Sequence, residues 1–232
     1  MKRARIDNYD LRWEWFPSAN EQVFVGFFYK YLKDPIEKEF DSGNGRQAFY
    51  ESVNKGNARN YGFEIDVIKY IRHFGIKANY TYTHSEITTS KKMYVEGQKD
   101  VVNVNQKRSL VNQAPHTANL SLLYKDTRFG WNAQLAGAYT GKRIAVVSPY
   151  FDADQWDKAV FSLDLSAEKS FKGGLSVFLK ANNLLDTRNE RYINVVNPSS
   201  VKKPGQPDDR MLVSSYKFGR TFLLGVRYTF DK

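Results

Sequence analysis

Close to its end the chain reads Gly225-Val226-Arg227-Tyr228-Thr229-Phe230, in which apolar and polar side chains alternate. Alternation of this kind predicts a β-strand, because successive side chains of a strand point to opposite faces. Eight further segments show the same pattern, each about ten residues long and bounded by turn residues. The nine predicted strands lie near residues 5–16, 22–32, 59–70, 75–87, 115–124, 130–141, 158–170, 175–185 and 215–230.

Nine alternating strands with aromatic residues at their ends are typical of a β-barrel in an outer membrane. The composition agrees, since the mean hydropathy is -0.58 although 15% of the residues are aromatic. A barrel wall accounts for both values, because only every second residue contacts lipid. No run approaches the roughly 18 apolar residues of a membrane helix. The sequence predicts an all-β fold, an antiparallel transmembrane β-barrel in the outer membrane of a Gram-negative cell.

The connections between the predicted strands alternate between short turns and long loops. In outer-membrane barrels the short turns are periplasmic and the long loops are extracellular. This rule places the C-terminus in the periplasm and makes the first and ninth strands run in the same direction. Those two strands therefore cannot close an antiparallel barrel, and bacterial single-chain barrels have even strand numbers. We expect residues 1–232 to form a single domain that is the C-terminal part of a larger barrel.

The net charge of +10 first suggests a nucleic-acid partner. The chain contains no concentrated basic run and no nucleic-acid-binding motif, and its Lys and Arg residues are spread over loops and strand ends. An anionic outer leaflet also suits a basic excess. The absence of cysteine excludes disulfides and thiolate metal sites. No nucleic-acid partner and no cofactor are predicted.

Several stretches, taken in order, resemble the TonB-dependent outer-membrane receptors. Residues 182–186, Asn-Asn-Leu-Leu-Asp, are similar to the near-terminal Asn-Leu-Phe-Asp element of that family, and residues 225–230 to its last strand. The other stretches that carry the resemblance are residues 28–37, 57–66, 113–120 and 139–144. The resemblance implies the final nine strands of a 22-stranded barrel. The form of these motifs resembles that of family members from Bacteroidetes. The plug domain, the TonB-contacting segment and a signal peptide are not found in this sequence.

The resemblance also implies a function and a set of partners. The function is active transport, the binding and uptake of a scarce siderophore, cobalamin, glycan or peptide with energy from TonB. The implied partners are the plug and N-terminal strands of the same receptor, TonB through the missing N-terminal region, the barrel-assembly machinery, and outer-membrane lipid with lipopolysaccharide. Tyr228 and Phe230 are the implied assembly signal.

Two belts of aromatic residues are expected where the barrel meets the membrane interfaces, since aromatic rings favour that depth. One belt lies at the periplasmic ends of the strands and the other at the extracellular ends. The predicted belt residues are Trp13, Trp15, Tyr124 and Trp131, with Tyr228 and Phe230, at the periplasmic side, and Tyr29, Tyr31, Tyr61, Tyr82, Tyr139 and Tyr216 at the other.

The best ligand-binding candidates are aromatic and acidic residues of one predicted extracellular loop. They are Tyr150, Phe151, Asp152, Asp154, Trp156 and Asp157. Flat aromatic rings beside carboxylates suit sugars or cationic groups, although an ordinary loop cluster accounts for the same residues.

Two alternative functions remain open at this point. A barrel enzyme of the protease or phospholipase kind would need an inward His near an acid or a Ser, but His84 and His116 fall on the lipid-facing side. The inward carboxylates (Asp10, Glu14, Glu64, Asp66 and Asp164) fit the normal polar lining of a barrel. A soluble β-sandwich carbohydrate-binding module would instead bury most of its aromatic residues. No catalytic residue and no metal site are predicted.

Overall fold

The computed structural model describes residues 1–41, 49–94, 101–194 and 210–230, which form sixteen β-strands. Among these residues no helix is long and apolar enough to cross a membrane. The strands are β1 (Arg5–Ser18), β2 (Glu21–Lys33), β3 (Ile36–Asp41), β4 (Phe49–Asn54), β5 (Ala58–Ile71), β6 (Phe74–Tyr94), β7 (Val101–Arg108), β8 (His116–Asp126), β9 (Trp131–Thr140), β10 (Arg143–Val146), β11 (Gln155–Asp157), β12 (Val160–Ser170), β13 (Leu175–Asn182), β14 (Arg188–Ile193), β15 (Met211–Lys217) and β16 (Thr221–Tyr228).

A single antiparallel sheet, which we call the wall, contains one strand from each of the nine predicted segments. Its order is β1-β2-β5-β6-β8-β9-β12-β13-β16, and β7 pairs with the far half of the long strand β6. Each strand neighbours the one before it in the predicted series, as short turns and hairpin-like loops require. The predicted all-β, antiparallel fold is confirmed. The predicted ninth strand is divided into β15 and β16 by residues 218–220.

The two faces of the wall follow the alternation in the sequence. Leu120 and Leu122 of β8 are about half exposed on one face, which we call the apolar face. Ser121 lies between them on the polar face, where its hydroxyl accepts a hydrogen bond of 3.1 Å from Gln134 of β9. The register therefore places an exposed apolar row on one face and a hydrogen-bonded polar row on the other.

A second sheet continues four strands of the wall. Its order, β10-β11-β14-β15, repeats the wall order β9-β12-β13-β16, because each of these strands precedes or follows its counterpart in the chain. The register also continues, since Thr140 pairs with Val160 in the wall and Arg143 with Asp157 in the second sheet. The four strands thus bend at nearly the same height rather than ending in separate loops.

Three connections pack together on the polar face of β6 and β7, where the sequence predicted only loops. They are residues 35–41, 108–113 and 144–154, which we call the loop cluster. The first belongs to the β3–β4 hairpin, whose Phe40 N–H donates a 3.0 Å hydrogen bond to the carbonyl of Val147. Most of the buried apolar residues of the described ranges lie in or beside this cluster, and they are Ala58, Ile87, Leu110, Ile144, Val146 and Val147. The other two, Ala181 and Tyr192, lie in β13 and β14.

The wall is an open sheet. Among the described residues, β1 pairs only with β2, and β16 pairs only with β13. The outer edges of β1 and β16 do not pair with each other, as expected for two strands that run in the same direction.

Candidate functional site

Two buried ion pairs fix the loop cluster to the wall. The ammonium of Lys91 on β6 lies 2.5 Å from a carboxylate oxygen of Asp154, and the two side chains are only 1% and 3% exposed. The same oxygen of Asp154 accepts a 2.8 Å hydrogen bond from the backbone N–H of Ser148. Burial lowers the pKa of Lys91 from its ordinary value, and the neighbouring carboxylate opposes that change. Lys91 therefore stays charged in this buried position only with the help of the Asp154 carboxylate.

The second pair joins Arg108, at the end of β7, to Glu37 of β3. Both terminal guanidinium nitrogens donate to the carboxylate, at 3.3 and 2.5 Å, and the side chains are 2% and 7% exposed. Glu37 also accepts the backbone N–H of Val111 at 3.2 Å. Two-pronged Arg–carboxylate pairs combine geometric specificity with charge, so this pair orients the hairpin and residue 111 together.

The six predicted ligand-binding residues are divided between two places. Asp154 is buried in the ion pair with Lys91, so its carboxylate faces protein rather than solvent. Asp152 is exposed, has a φ of 56°, and exchanges two hydrogen bonds with the Gln106 side chain. Tyr150 and Phe151 are half-buried in the same segment, and the Phe151 N–H bonds the carbonyl of Lys92 at 2.9 Å.

Trp156 and Asp157, the other two predicted residues, lie in β11 of the second sheet and as neighbours in a strand point to opposite faces. The ammonium of Lys142 lies 4.4 Å from the centroid of a Trp156 ring. Asp157 accepts hydrogen bonds of 2.7 and 3.3 Å from Arg191. The structure therefore does not gather the predicted aromatic and acidic residues into one surface.

A cavity of about 400 Å³ lies on the polar face between β1, β2, β5, β6 and β8. Phe24 and Phe28 lie along its floor, with the Arg12 guanidinium 4.3 Å from the Phe24 ring centroid. Phe24 covers Gly26, where an added Cβ would lie 2.7 Å from the ring. Inward Phe24 and Phe28, which break the sequence alternation, are thus accommodated by glycines in the wall.

A smaller cavity of about 170 Å³ lies where the wall meets the second sheet, and we call it the junction cavity. Thr140 and Val160 line it from the wall. From the second sheet it is lined by Arg143, Asp157, Lys158, Asn189, Glu190, Arg191 and Tyr216, with Gly141 in the bend. No residue pattern in the sequence identifies this cavity, because it depends on four strands bending together.

The predicted interface aromatics are mostly exposed on the apolar face of the wall. Tyr9, Tyr29, Tyr61 and His84 stand opposite one another across β1, β2, β5 and β6, with ring centroids 6.4, 6.5 and 5.1 Å apart. Trp13, Trp15 and Trp131 are 55%, 54% and 44% exposed, and Tyr139 is 38% exposed. Tyr31, Tyr82 and Tyr124 are half-buried. Tyr216 is 50% exposed but belongs to the second sheet rather than to the wall.

The histidines have local partners in the structure. His116 lies 2.7 Å from the hydroxyl of Tyr80, and His73 lies 3.1 Å from the carbonyl of Lys125. In the described part of the chain, no three His, Asp or Glu side chains are grouped so that they could hold a metal ion. The proposed assembly residues Tyr228 and Phe230 are 55% and 81% exposed, and their rings meet edge to face at 4.8 Å.

Comparison with known families and structures gives a consistent result. The family model described as TonB dependent receptor-like, beta-barrel matches residues 2–184. No curated protein matches the sequence. The FrpB iron transporter from Neisseria meningitidis is similar, with a TM-score of 0.57 and 16% identity over 98% of this chain and 31% of that one.

Two other solved structures show the same likeness. The copper transporter OprC has a TM-score of 0.61 and 14% identity, covering 99% of this chain and 32% of its own. A mutant ferric enterobactin receptor, PfeA from Pseudomonas aeruginosa, in complex with enterobactin, has a TM-score of 0.58 and 18% identity, covering 98% and 32%. The chain thus spans about a third of the length of these structures. At these identities the likeness establishes the fold, and the Bacteroidetes affinity stays a prediction.

Proposed function

The chain belongs to the TonB-dependent receptor-like β-barrel family, and from that premise we propose that it forms part of the wall and mouth of an outer-membrane uptake receptor. The observation that carries the proposal is the open wall itself. Its nine strands follow one another in order, with a polar face toward the lumen and an apolar, aromatic-rich face toward lipid. The family is one of outer-membrane barrels, and the similar structures named above are transporters and receptors rather than enzymes.

In this proposal residues 1–232 are one domain that other strands of the same receptor complete. The support is that no described strand pairs with the outer edge of β1 or of β16, and that the chain spans about a third of the length of its structural relatives. Backbone groups without partners in hydrocarbon cost several kcal/mol each. The C-terminus is periplasmic, the second sheet and the loop cluster are extracellular, and the plug and TonB act through the rest of the receptor.

The proposed cargo is a scarce nutrient of the siderophore, cobalamin, glycan or peptide class. The buried ion pairs of the loop cluster favour a fixed structure on one side of the mouth, where the half-buried Tyr150 and Phe151 and the exposed Asp152 are the proposed contacts for the cargo. Asp154 is a positioning residue in this arrangement, because its carboxylate is occupied by Lys91.

The completion of the barrel is tested by refolding this chain alone in detergent and measuring its size and its conductance in planar bilayers. We expect aggregates, edge-to-edge oligomers or an open sheet without channel activity. A monomeric, protease-resistant closed barrel would contradict the proposal. Uptake is tested in cells that carry the full-length receptor, with and without TonB, by growth on one limiting nutrient of each proposed class. Growth that requires the receptor but not TonB would contradict active transport.

The two alternatives from the sequence gain no support. A soluble β-sandwich packs two sheets face to face, whereas here the apolar face of the wall is exposed. A barrel enzyme lacks support because the similar structures named above are transporters and receptors.

A further inference from the structure

The junction cavity carries an excess of positive charge. Asp157 accepts two hydrogen bonds from Arg191, and a terminal nitrogen of Arg143 lies 3.6 Å from the same carboxylate. Lys158 and Glu190, which also line the cavity, pair with each other at 2.5 Å. Two guanidinium groups therefore share one carboxylate, and one positive charge remains.

One donor of this group has no partner. The Nε atom of Arg143 is buried and forms no hydrogen bond with any described residue. A guanidinium can only donate hydrogen bonds, and a buried donor without an acceptor costs about 1–3 kcal/mol. The missing component is therefore an acceptor, and the remaining charge favours an anionic one.

The other lining groups suit the same kind of ligand. Tyr216 offers a hydroxyl, Asn189 an amide and Thr140 a second hydroxyl. Arg191 keeps its charge, because a guanidinium is not deprotonated in proteins, and the hydrogen bond from Arg191 to Asp157 raises its pKa further above the ordinary value. The cavity volume of about 170 Å³ exceeds the roughly 30 Å³ that one water takes up in the liquid, so it has room for an oxyanion with several waters.

We propose that the junction cavity is an oxyanion-binding site in which Arg143 and Arg191 hold a phosphate or carboxylate group. The Arg fork matches the planar or tetrahedral oxygen arrangement of these groups. Because the lining comes from both the wall and the second sheet, a bound anion connects the two across the bend. The same phosphate chemistry is available from a free anion and from the headgroup of an outer-leaflet lipid. The site is independent of the nutrient that the receptor carries.

The test measures equilibrium binding to the purified full-length receptor in a zwitterionic detergent. One arm titrates inorganic phosphate by calorimetry, and the other measures retention of lipid A phosphate after transfer to bilayer discs of phosphatidylcholine with lipid A. Arg143→Gln and Arg191→Gln should each weaken binding roughly tenfold, as expected for loss of a charge-assisted hydrogen bond. Arg188→Gln is the matched control, because it removes the same charge from β14 outside the cavity lining.

Asp157→Asn separates a binding site from a merely structural row of ion pairs. If the cavity binds an anion, Asp157→Asn should strengthen binding, because it removes the competing carboxylate. If the ion pairs only hold the structure together, Asp157→Asn should instead weaken binding, as Arg143→Gln and Arg191→Gln do. Binding in the phosphate arm identifies a free anion, and binding only in the lipid arm identifies a headgroup. No binding in either arm, or Arg143→Gln behaving as Arg188→Gln does, overturns the site. Neither arm depends on TonB or measures uptake. A receptor that transports its nutrient but binds no phosphate would therefore contradict the oxyanion site without contradicting the proposed function.

Discussion

Replacing Lys91 by Met should open the loop cluster, because the change leaves the carboxylate of Asp154 buried without its counter-ion. At 1% and 3% exposure the pair falls in the class whose disruption costs about 3–5 kcal/mol. The backbone N–H of Ser148 still donates to Asp154, so the lower end of that range is the expected value. Met fills nearly the volume of the Lys side chain, and the loss is therefore electrostatic rather than a cavity.

The assay is amide hydrogen exchange in the full-length receptor at two backbone groups that bridge the cluster. The N–H of Phe151 bonds the carbonyl of Lys92 at 2.9 Å, and the N–H of Phe40 bonds that of Val147 at 3.0 Å. A loss of about 3 kcal/mol in opening free energy corresponds to exchange roughly two powers of ten faster, since 1.4 kcal/mol is a factor of ten. The wall amides of β8 and β9 should be unchanged.

Two comparisons make this reasoning refutable. Lys107→Met breaks the pair that joins Lys107 of β7 to Glu86 of β6. The side chains of that pair are 72% and 44% exposed and 3.4 Å apart, so its loss should cost only about 0.2–1 kcal/mol. The double variant Lys91→Met with Asp154→Leu removes both buried charges and should recover most of the lost protection. Equal exchange rates in the Lys91 and Lys107 variants would refute the claim that the buried pair stabilises the loop cluster. Faster exchange in the double variant than in Lys91→Met would refute it as well.

Three further predictions concern the wall. Leu122→Arg, on the apolar face, should cost roughly 2–4 kcal/mol in a bilayer and Ser121→Arg far less, and equal unfolding free energies in lipid would mean that the faces are misassigned. Phe230→Ala should reduce the amount of inserted full-length receptor, measured in outer-membrane fractions, much more than Tyr124→Ala does, whereas comparable insertion would leave Phe230 as an ordinary belt residue. The pKa of Asp126 is lowered, chiefly by backbone N–H donors of the β8–β9 turn. The stability that the ionised carboxylate adds is therefore complete above the ordinary pKa of 3.8 and is lost as the pH falls through the lower pKa of the folded state. Melting temperatures should therefore show an acid-dependent loss in this range that Asp126→Ala diminishes, and an identical pH profile in the variant would count against it.

The sequence alone was enough to predict the wall. Side-chain alternation has a period of two, and a shift of one residue would turn every apolar side chain toward the polar face, so strand identity and face follow from the pattern. Each of the nine predicted segments accordingly contains a strand of the wall, in the predicted order. The ordered motifs also identified the family, because their spacing reflects that same series of strands.

The loop cluster and the candidate site were decided by the tertiary structure. Glu37 and Arg108 are 71 residues apart, and Lys91 and Asp154 are 63 residues apart, so no local pattern relates them. In the sequence Asp154 is one of several acidic loop residues suited to a ligand, and only the folded structure shows its carboxylate buried against Lys91. The junction cavity depends on four strands that pass from the wall into the second sheet at one height. The alternation of apolar and polar residues does not show where such interruptions of the strands fall. The alternation of residues determines which side chains of each strand share a face. Which charged residues meet across long loops is determined only by the tertiary structure, because the partners are far apart in the sequence.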